Sequence, residues 1–450
     1  MIKHFFSKNL SSFTLIKNTS LVKIFNYPIN YIALFFLLYY FDEESLAAFI
    51  LLETITGIFM ALFFASQNTI TLRELIENKN KNEMIFSIVI LKFFLSVVIF
   101  LLLFILFYFF KDQFFINYTL YEILYLLLVV LAFNFLSDLI NFFSLFLISL
   151  KKYLNNFMLM LVLPISGIIS ISITYLYFEK LDFFLTLRLV IPLFIFSLIF
   201  FYLVLSKRPE IFSSIQVNKN SFNSIKKIIS LQAPIMPASF FSVAAVSFPV
   251  IIFGYQQNFY NVILLGFLDR FFNPFRNAFQ TVISNLHPYL FGIFSKNQSQ
   301  GNKELNRFSN IFLVISFFVS LSSIFFFFIF SKLTDYEPSL GLLFIFILKF
   351  ISIIPLVTQM LCNVDFYSER DTVLISKLTF SRSLINLLNF YFYNFGIQWV
   401  IFIQLVSSSL PSLYSSRLIN LKNEYFNKFF FLNLFIILLA VLILLNTLKF

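Results

Sequence analysis

Polar side chains recur at steps of three and four residues along the otherwise apolar stretch 261–292. They are Asp269, Arg270, Asn273, Arg276, Asn277, Gln280, Thr281, Ser284 and His287. This spacing places them on one face of an α-helix, and apolar residues, mainly phenylalanines, fill the other face. We therefore expect a membrane-spanning helix with one face toward water or a polar ligand and the other toward lipid or packed protein.

Two arginines on this face indicate an anion. An arginine in the middle of a membrane costs about 2.5–3.5 kcal/mol unless it faces a wet cavity or pairs with an acid. Asp269 can neutralise either Arg270 or Arg276, but not both. Arg382, deep in the apolar run 373–394, is a further candidate for the same cavity. We interpret the face as a cavity wall that attracts anions; the alternative is a set of interhelical polar contacts with no ligand.

The composition is that of a polytopic membrane protein. Of 450 residues, 60% are hydrophobic and 12% are charged, whereas soluble domains are about a quarter charged. The single cysteine, Cys362, excludes an internal disulfide framework and a cysteine-based metal cluster. His4 and His287 are too few and too far apart for a histidine metal site. We predict neither a metal nor a cofactor.

Thirteen apolar runs are long enough for the roughly 20 residues that a spanning helix needs. They are 24–41, 46–66, 84–110, 119–149, 157–178, 183–205, 229–253, 261–292, 309–330, 340–362, 373–394, 396–418 and 429–448. We expect an all-α membrane protein with two six-helix bundles, 1–205 and 229–418, around a central cavity. A basic cytoplasmic linker, 206–228, joins the bundles, and 419–450 forms an extra C-terminal transmembrane helix.

The positive charge follows the predicted topology. With the N-terminus in the cytoplasm, 22 Lys and Arg residues fall on the cytoplasmic side, 4 on the outer side and 6 within spans. This bias is a strong positive-inside signal. The net charge of +11 therefore reflects topology, and nucleic acid is not a predicted partner.

Two acids lie in spans of the N-terminal half, Glu53 and Asp138. Either could couple transport to an ion, as could Asp269 in the second half. Alternatively, Glu53 and Asp138 pair with Lys92 or Arg188 as structural ion pairs. Lys92 and Lys349, near predicted cytoplasmic ends, and Arg188, near an outer end, could also extend their charged ends to the membrane surface.

Three prolines, Pro234, Pro237 and Pro249, fall in the seventh run. Proline removes a backbone donor and kinks a helix. Their number favours a hinge beside the arginine-bearing eighth helix.

Several segments occur in a characteristic order. A proline-led helix, LQAPIMPASFFSVAAVSFPVIIFG, precedes NVILLGFLDRFFNPFRNAFQTVISNLHPYLFGIFSKNQSQGNKELNRFSNIF, in which we expect a polar loop with Gly301 and Lys303 after the helix. LINLLNFYFYNFGIQWVIFIQLVSSSLPSLYSSRLINLKNE follows, and LISLKKYLNNF and CNVDFYSERDTV form predicted cytoplasmic turns. In order and spacing these segments resemble the multidrug/oligosaccharidyl-lipid/polysaccharide exporter superfamily over nearly the whole chain.

Within that superfamily, the short loops and basic membrane residues look most like the flippases of O-antigen and other lipid-linked oligosaccharides. The resemblance implies a polyprenyl-pyrophosphate-linked oligosaccharide that moves from the cytoplasmic to the outer leaflet of a bacterial inner membrane. It also implies two bundles that rock between inward-open and outward-open states. Arginine's planar fork suits phosphate, and Asn273, Asn277 and Gln280 can bind sugar hydroxyls. Expected partners are this lipid, membrane lipids and other glycan-assembly membrane proteins of surface polysaccharide and lipopolysaccharide synthesis.

Two other functions stay open. A multidrug/cation antiporter of the same superfamily shares the topology, but its cavity should be dominated by acids, whereas the spans here hold three acids and six bases. A polytopic glycosyltransferase could use the acidic residues 42–44 of the first outer loop, but such enzymes usually need a substantial outer loop or domain. We predict a transporter and not an enzyme.

Overall fold

The computed structural model is helical over the residues that it describes, which are 32, 35–64, 81–149, 158–177, 181–207, 226, 229–230, 233, 236–294, 297–334, 338–368, 372–422 and 427–447. The helices in chain order are α1 Glu43–Phe64, α2 Lys81–Phe114, α3 Leu120–Ser149, α4 Val162–Tyr177, α5 Leu181–Lys207, α6 Met236–Tyr255, α7 Phe259–Phe294, α8 Gln298–Leu333, α9 Leu340–Ile351, α10 Ile353–Ser368, α11 Thr372–Leu387, α12 Asn389–Phe392, α13 Ile397–Lys422 and α14 Asn427–Thr447. No strand is assigned in these ranges.

These helices coincide with twelve of the thirteen predicted spans. The first span, 24–41, lies mostly outside the described residues, although 35–40 are helical. Among the described segments, eight are long and apolar enough to cross a membrane. The chain is therefore a multi-pass membrane protein.

The chain divides into two compact units. The first comprises Met1–Val243 and Phe253–Ile263, and the second comprises Ala244–Ile252 and Leu264–Phe450. The domain boundaries expected from the sequence stay a prediction, and most of the expected linker 206–228 lies outside the described residues.

The core of the first unit forms where α3, α4 and α5 pack together. Leu136, Ile140 and Leu147 of α3 are buried at steps of four and seven residues, so they share one helix face. This face packs against Leu159, which precedes α4, and against Val162, the first residue of α4. Burial of one apolar stripe per helix explains why these three helices stay together.

In the second unit, the buried residues of α8 recur every seven residues at two positions of the helix. The first position holds Asn302, Ser309, Ser316, Ser323 and Phe330, and the second holds Leu305, Phe312, Val319 and Phe326. Small residues at such positions let membrane helices approach closely. The hydroxyls of Ser309 and Ser316 donate back into the helix, to the carbonyls of Leu305 at 2.6 Å and Phe312 at 2.7 Å. The helix therefore packs against α9 and α10 without leaving these hydroxyls unbonded.

The polar loop expected around Gly301 and Lys303 is wrong, because both residues lie within α8. Asn297 caps the helix, and its side chain accepts the backbone N–H of Gln300 at 3.1 Å. The polar residues that follow are compatible with a helix once a cap has started it. At 36 residues, α8 is about 54 Å long and extends well beyond a hydrocarbon core of about 30 Å.

The tenth predicted span is interrupted at Ser352, between α9 and α10. Pro355 lacks the N–H that would bond the carbonyl of Ile351, and its ring clashes with that carbonyl. α9 ends at Ile351. The backbone N–H and the hydroxyl of Ser352 both donate to the carbonyl of Lys349, at 3.3 Å and 2.6 Å.

The eleventh predicted span is shorter than expected. α11 ends at Leu387, and α12 and a 3₁₀ turn, Tyr393–Phe395, follow it. Gly396 then adopts a φ of 104°, a conformation that glycine allows at little steric cost, before α13 begins.

The hinge expected from the three prolines of the seventh span stays a prediction. Pro237 lies in the first turn of α6, where a missing N–H breaks no helical bond, and Pro249 lies inside the helix. Pro234 lies outside the described residues. A kink within this helix therefore rests on Pro249.

Candidate functional site

The predicted two-faced helix is α7. Asn277 and Gln280 are exposed, and Arg270, Asn273 and Arg276 are partly buried. On the opposite face Phe271, Phe272, Phe279 and Ile283 are buried. Nothing is described for the side chains of the three polar residues nearest the end of this face, Thr281, Ser284 and His287.

Asp269 forms a salt bridge with Lys349 of α9, in which the Lys349 Nζ lies 2.5 Å from Asp269 Oδ1. The same Nζ donates to the side-chain oxygen of Gln404 on α13 at 2.8 Å. One buried lysine therefore connects three helices of the second unit. The sequence left open that Asp269 neutralises Arg270 or Arg276; in the structure its salt-bridge partner is instead a lysine.

Lys349 does not extend to the membrane surface as the sequence suggested; it is 6% exposed. Two signals for this were present in the sequence. Lys349 stands near the middle of the run 340–362 and not at its end, and a buried ammonium in a membrane requires an acidic partner.

Arg276 of α7 and Arg382 of α11 lie within electrostatic range of each other. Among the described residues, no carboxylate lies within salt-bridge distance of either guanidinium, although the field of Asp269 reaches Arg276. The Nε of Arg382 is buried and has no hydrogen-bond partner in the described part of the chain. Two like charges in spanning helices repel each other, and an anion between them would stabilise both.

Two asparagines share a helix face with Arg382. Asn386 and Asn389 follow it at steps of four and three residues, and they are 2% and 0% exposed. The Asn386 side-chain oxygen and both polar atoms of the Asn389 side chain have no hydrogen-bond partner among the described residues. The helical spacing of the two asparagines from Arg382 was the signal for them in the sequence.

Arg270 has a different environment from Arg276. Its guanidinium carbon lies 5.7 Å from the centre of the Phe267 ring, which is within the range of a cation–π contact. The structure therefore brings Arg276 and Arg382 into mutual electrostatic range and sets Arg270 against an aromatic ring.

Glu53 and Asp138, the two acids predicted within spans of the first unit, form salt bridges. Arg188 donates to Glu53 at 2.7 Å, and Lys92 donates to Asp138. Lys92 is fully buried, and the Arg188 guanidinium also lies 4.3 Å from the Phe133 ring. These are the structural ion pairs that the sequence analysis gave as the alternative to ion coupling for Glu53 and Asp138. The expectation that Lys92 and Arg188 extend to the membrane surface is wrong, because their charges are paired within the protein.

The acidic residues 42–44, which suggested a glycosyltransferase, lie at the start of α1 and stabilise it. Asp42 accepts the backbone N–H of Ser45 at 3.0 Å, as a helix cap does, and Glu43 and Glu44 lie in the first turn. Glu44 also accepts from the side chain of Asn117 at 2.7 Å. In the described residues no group of three or more His, Cys, Asp or Glu side chains could hold a metal.

Neither a protein-family model nor a curated protein sequence matches the chain. Solved structures do match. The lipid II flippase MurJ, in an inward closed conformation, has a TM-score of 0.64 at 16% identity, over 96% of this chain and 97% of that one. The chain therefore has the same fold as that protein.

Two multidrug transporters share it. The inward-facing conformation of a multidrug resistance MATE family transporter of the MOP superfamily has a TM-score of 0.62 at 12% identity, over 91% of this chain and 99% of that one. The MATE multidrug transporter DinF-BH has a TM-score of 0.59 at 14% identity, over 93% and 96% of the two chains. The all-α polytopic fold predicted from the sequence is confirmed.

Proposed function

We propose that this protein is a flippase that moves a polyprenyl-pyrophosphate-linked oligosaccharide from the cytoplasmic to the outer leaflet by alternating access. The membrane would be the bacterial inner membrane, and the glycan a precursor of surface polysaccharide. The observation that carries this proposal is the pair formed by Arg276 and Arg382. The fold shared with a protein named as a lipid II flippase supports a lipid-linked substrate.

The arginine pair favours an anion with more than one negative charge. Each guanidinium offers a planar fork of donors that matches two phosphate oxygens. A pyrophosphate can contact both forks, and its charge would offset the repulsion between Arg276 and Arg382. Asp269 is less able to offset this repulsion, because its carboxylate is already bonded to Lys349.

The neighbouring polar groups suit a sugar. Asn273, Asn277 and Gln280 lie on the same face of α7 as Arg276, and amides both donate to and accept from hydroxyl groups. On α11 and α12, Asn386 and Asn389 supply buried amide groups. Arg270 lies on the same face of α7 and remains part of the proposed binding set. Apolar surface around these helices would accommodate the lipid tail.

Transport in this account needs different affinity for the anion in the two access states, because a ligand shifts a conformational equilibrium only through such a difference. The Asp269–Lys349–Gln404 contacts hold α7, α9 and α13 together. We therefore expect the arginine-bearing helix to move with its neighbours and to carry the anion as part of that group.

The cation antiporter is the competing function, since two of the similar structures are MATE multidrug transporters. A cation needs an acid that can exchange partners. Glu53 and Asp138, two of the acids proposed for ion coupling, are engaged by Arg188 and Lys92. These pairs favour the anionic substrate.

The test uses purified protein in proteoliposomes. A fluorescent polyprenyl-pyrophosphate oligosaccharide is placed in the inner leaflet, and its arrival in the outer leaflet is followed with a quencher that cannot cross the membrane. Parallel vesicles receive a fluorescent cationic drug and a proton gradient. We expect movement of the glycolipid and none of the drug. Drug movement without glycolipid movement would establish the antiporter instead, and movement of neither would contradict both transport functions.

A further inference from the structure

A cavity of about 510 Å³ in the first unit lies apart from the arginine pair. It is formed by the start of α3, the residues before it and the first turns of α5. The lining residues that matter here are Tyr118, Tyr121, Glu122, Tyr125, Asp182 and Thr186. The charge bias of the sequence predicts that this end of both helices faces outward.

The tyrosines present their rings to the cavity with two of the three hydroxyls already bonded. The hydroxyls of Tyr125 and Thr186 are 2.7 Å apart, and the Tyr118 hydroxyl donates to Ser45 at 3.2 Å. Tyr121, at the rim, is 79% exposed. Bonds of this kind fix the orientation of the Tyr118 and Tyr125 rings, so the cavity has a preorganised aromatic wall.

The cavity is also electronegative. The Glu122 carboxylate is held at the rim, because one of its oxygens accepts from both the N–H and the hydroxyl of Thr119, at 2.7 and 2.8 Å. Asp182 supplies a second carboxylate. Burial raises the pKa of the Tyr118 phenol, and the charges of Asp42, Glu44 and Asp182 raise it further.

One described basic residue near this end of the unit, Lys111, lies within electrostatic range of Glu122, but it shares its charge with Asp112. The Lys111 ammonium forms a salt bridge with Asp112 at 2.7 Å. Aromatic faces beside carboxylates attract a cation through the ring quadrupole and through charge, and such walls recognise ammonium ligands.

We infer that this cavity binds an organic ammonium cation, with the charged nitrogen between the tyrosine rings and the carboxylates of Glu122 and Asp182. The cation could be a free quaternary or primary ammonium compound or an amino sugar. The inference does not depend on the flippase function proposed above.

The test is ligand-observed NMR with purified full-length protein in a polyoxyethylene detergent, which carries neither charge nor sugar. The probes are tetramethylammonium, glucosamine and N-acetylglucosamine, the last being a sugar without the positive charge. We expect saturable binding of the first two probes and none of the third. Tighter binding of glucosamine than of tetramethylammonium would identify the amino sugar as the source, and the reverse order would identify a free ammonium compound.

Variants separate ring and charge from folding. Tyr121→Leu removes a ring and Asp182→Asn removes a charge, and each should weaken binding roughly 2- to 5-fold. Tyr121→Phe keeps the ring, and Glu304→Gln removes a carboxylate from α8 in the second unit, outside the cavity, so both should bind as the wild type does. Melting curves verify that all four variants are folded. Binding of N-acetylglucosamine equal to that of glucosamine, absence of saturable binding, or equal affinity in all variants would overturn the inference.

Discussion

Lys349 and Asp269 form a salt bridge between α9 and α7, with 2.5 Å between Nζ and Oδ1. Asp269 is the only acid in the stretch 261–292, so this bond engages the one carboxylate of the arginine-bearing stretch. In the proposed site, the positive charge of Arg276 and Arg382 is therefore available to an anion. The Lys349 and Asp269 side chains are only 7% and 28% exposed, so loss of either one leaves a largely buried charge without its partner.

Loss of one partner of this pair should destabilise the protein more than loss of both partners. Lys349→Met leaves a carboxylate without its ammonium, and Asp269→Asn leaves a buried ammonium without its carboxylate, so each should cost about 3–5 kcal/mol of unfolding free energy. The double variant removes both charges and should recover much of that loss. Thermal unfolding of the purified proteins measures these differences, with Lys303→Met, at an exposed site on α8, as the matched control. Additive losses in the double variant would contradict the pairing.

The Lys92–Asp138 pair should act in stability and not in ion coupling. Asp138→Asn should lower the melting temperature while transport per folded molecule stays close to the wild-type rate, because Lys92 is fully buried and loses its partner. Adding Lys92→Met should restore stability. The measurement combines thermal unfolding with the proteoliposome assay. Loss of transport in stable Asp138→Asn protein, not recovered in the double variant, would assign this carboxylate to coupling.

Lys428 should make the attachment of α14 depend on pH. Its ammonium donates to Asn306 at 2.6 Å and also to Asn310, both on α8, and burial lowers its pKa below the usual 10.5. The folded protein therefore releases this proton at a lower pH than the unfolded chain does. In the window just below pH 10.5 the unfolded chain binds more protons, so the free energy of unfolding should rise with pH.

The matched variant for this prediction is Lys428→Met, which carries no titrating group. The wild type should gain stability relative to Lys428→Met as the pH approaches 10.5, when unfolding is followed by denaturant titration at a series of pH values. A difference that stays constant or falls over this range would contradict the prediction.

The sequence predicted the helices and their faces well because hydropathy and a period of 3.6 residues are local properties. The pairing of Asp138 with Lys92 was among the alternatives that the sequence left open. It did not predict the pairing of Asp269 with Lys349, because 80 residues separate the two and the pairing depends on how helices align along their axes. One helical turn is only about 5.4 Å, so a small error in the level of either helix changes the partner.

Helix ends were the other source of error. The break at Ser352 follows from the clash of Pro355 with the residue four positions earlier, so the sequence did contain it. The start of α8 depends on Asn297 acting as a cap, and the polar residues after it are equally compatible with a loop. The proximity of Arg276 and Arg382 depends on which helices are neighbours in space, and a single sequence does not specify that.

The most direct test of the anion site is transport of the pyrophosphate-linked oligosaccharide by the double variant Arg276→Gln with Arg382→Gln. The control is Arg417→Gln, which removes an exposed arginine from α13. A charge-assisted bond to phosphate contributes about 1.5–3 kcal/mol, so each lost arginine should slow transport on the order of 10-fold or more. We expect the double variant to fold, insert and lose transport while the control keeps the wild-type rate. Wild-type transport by the folded double variant would contradict the account.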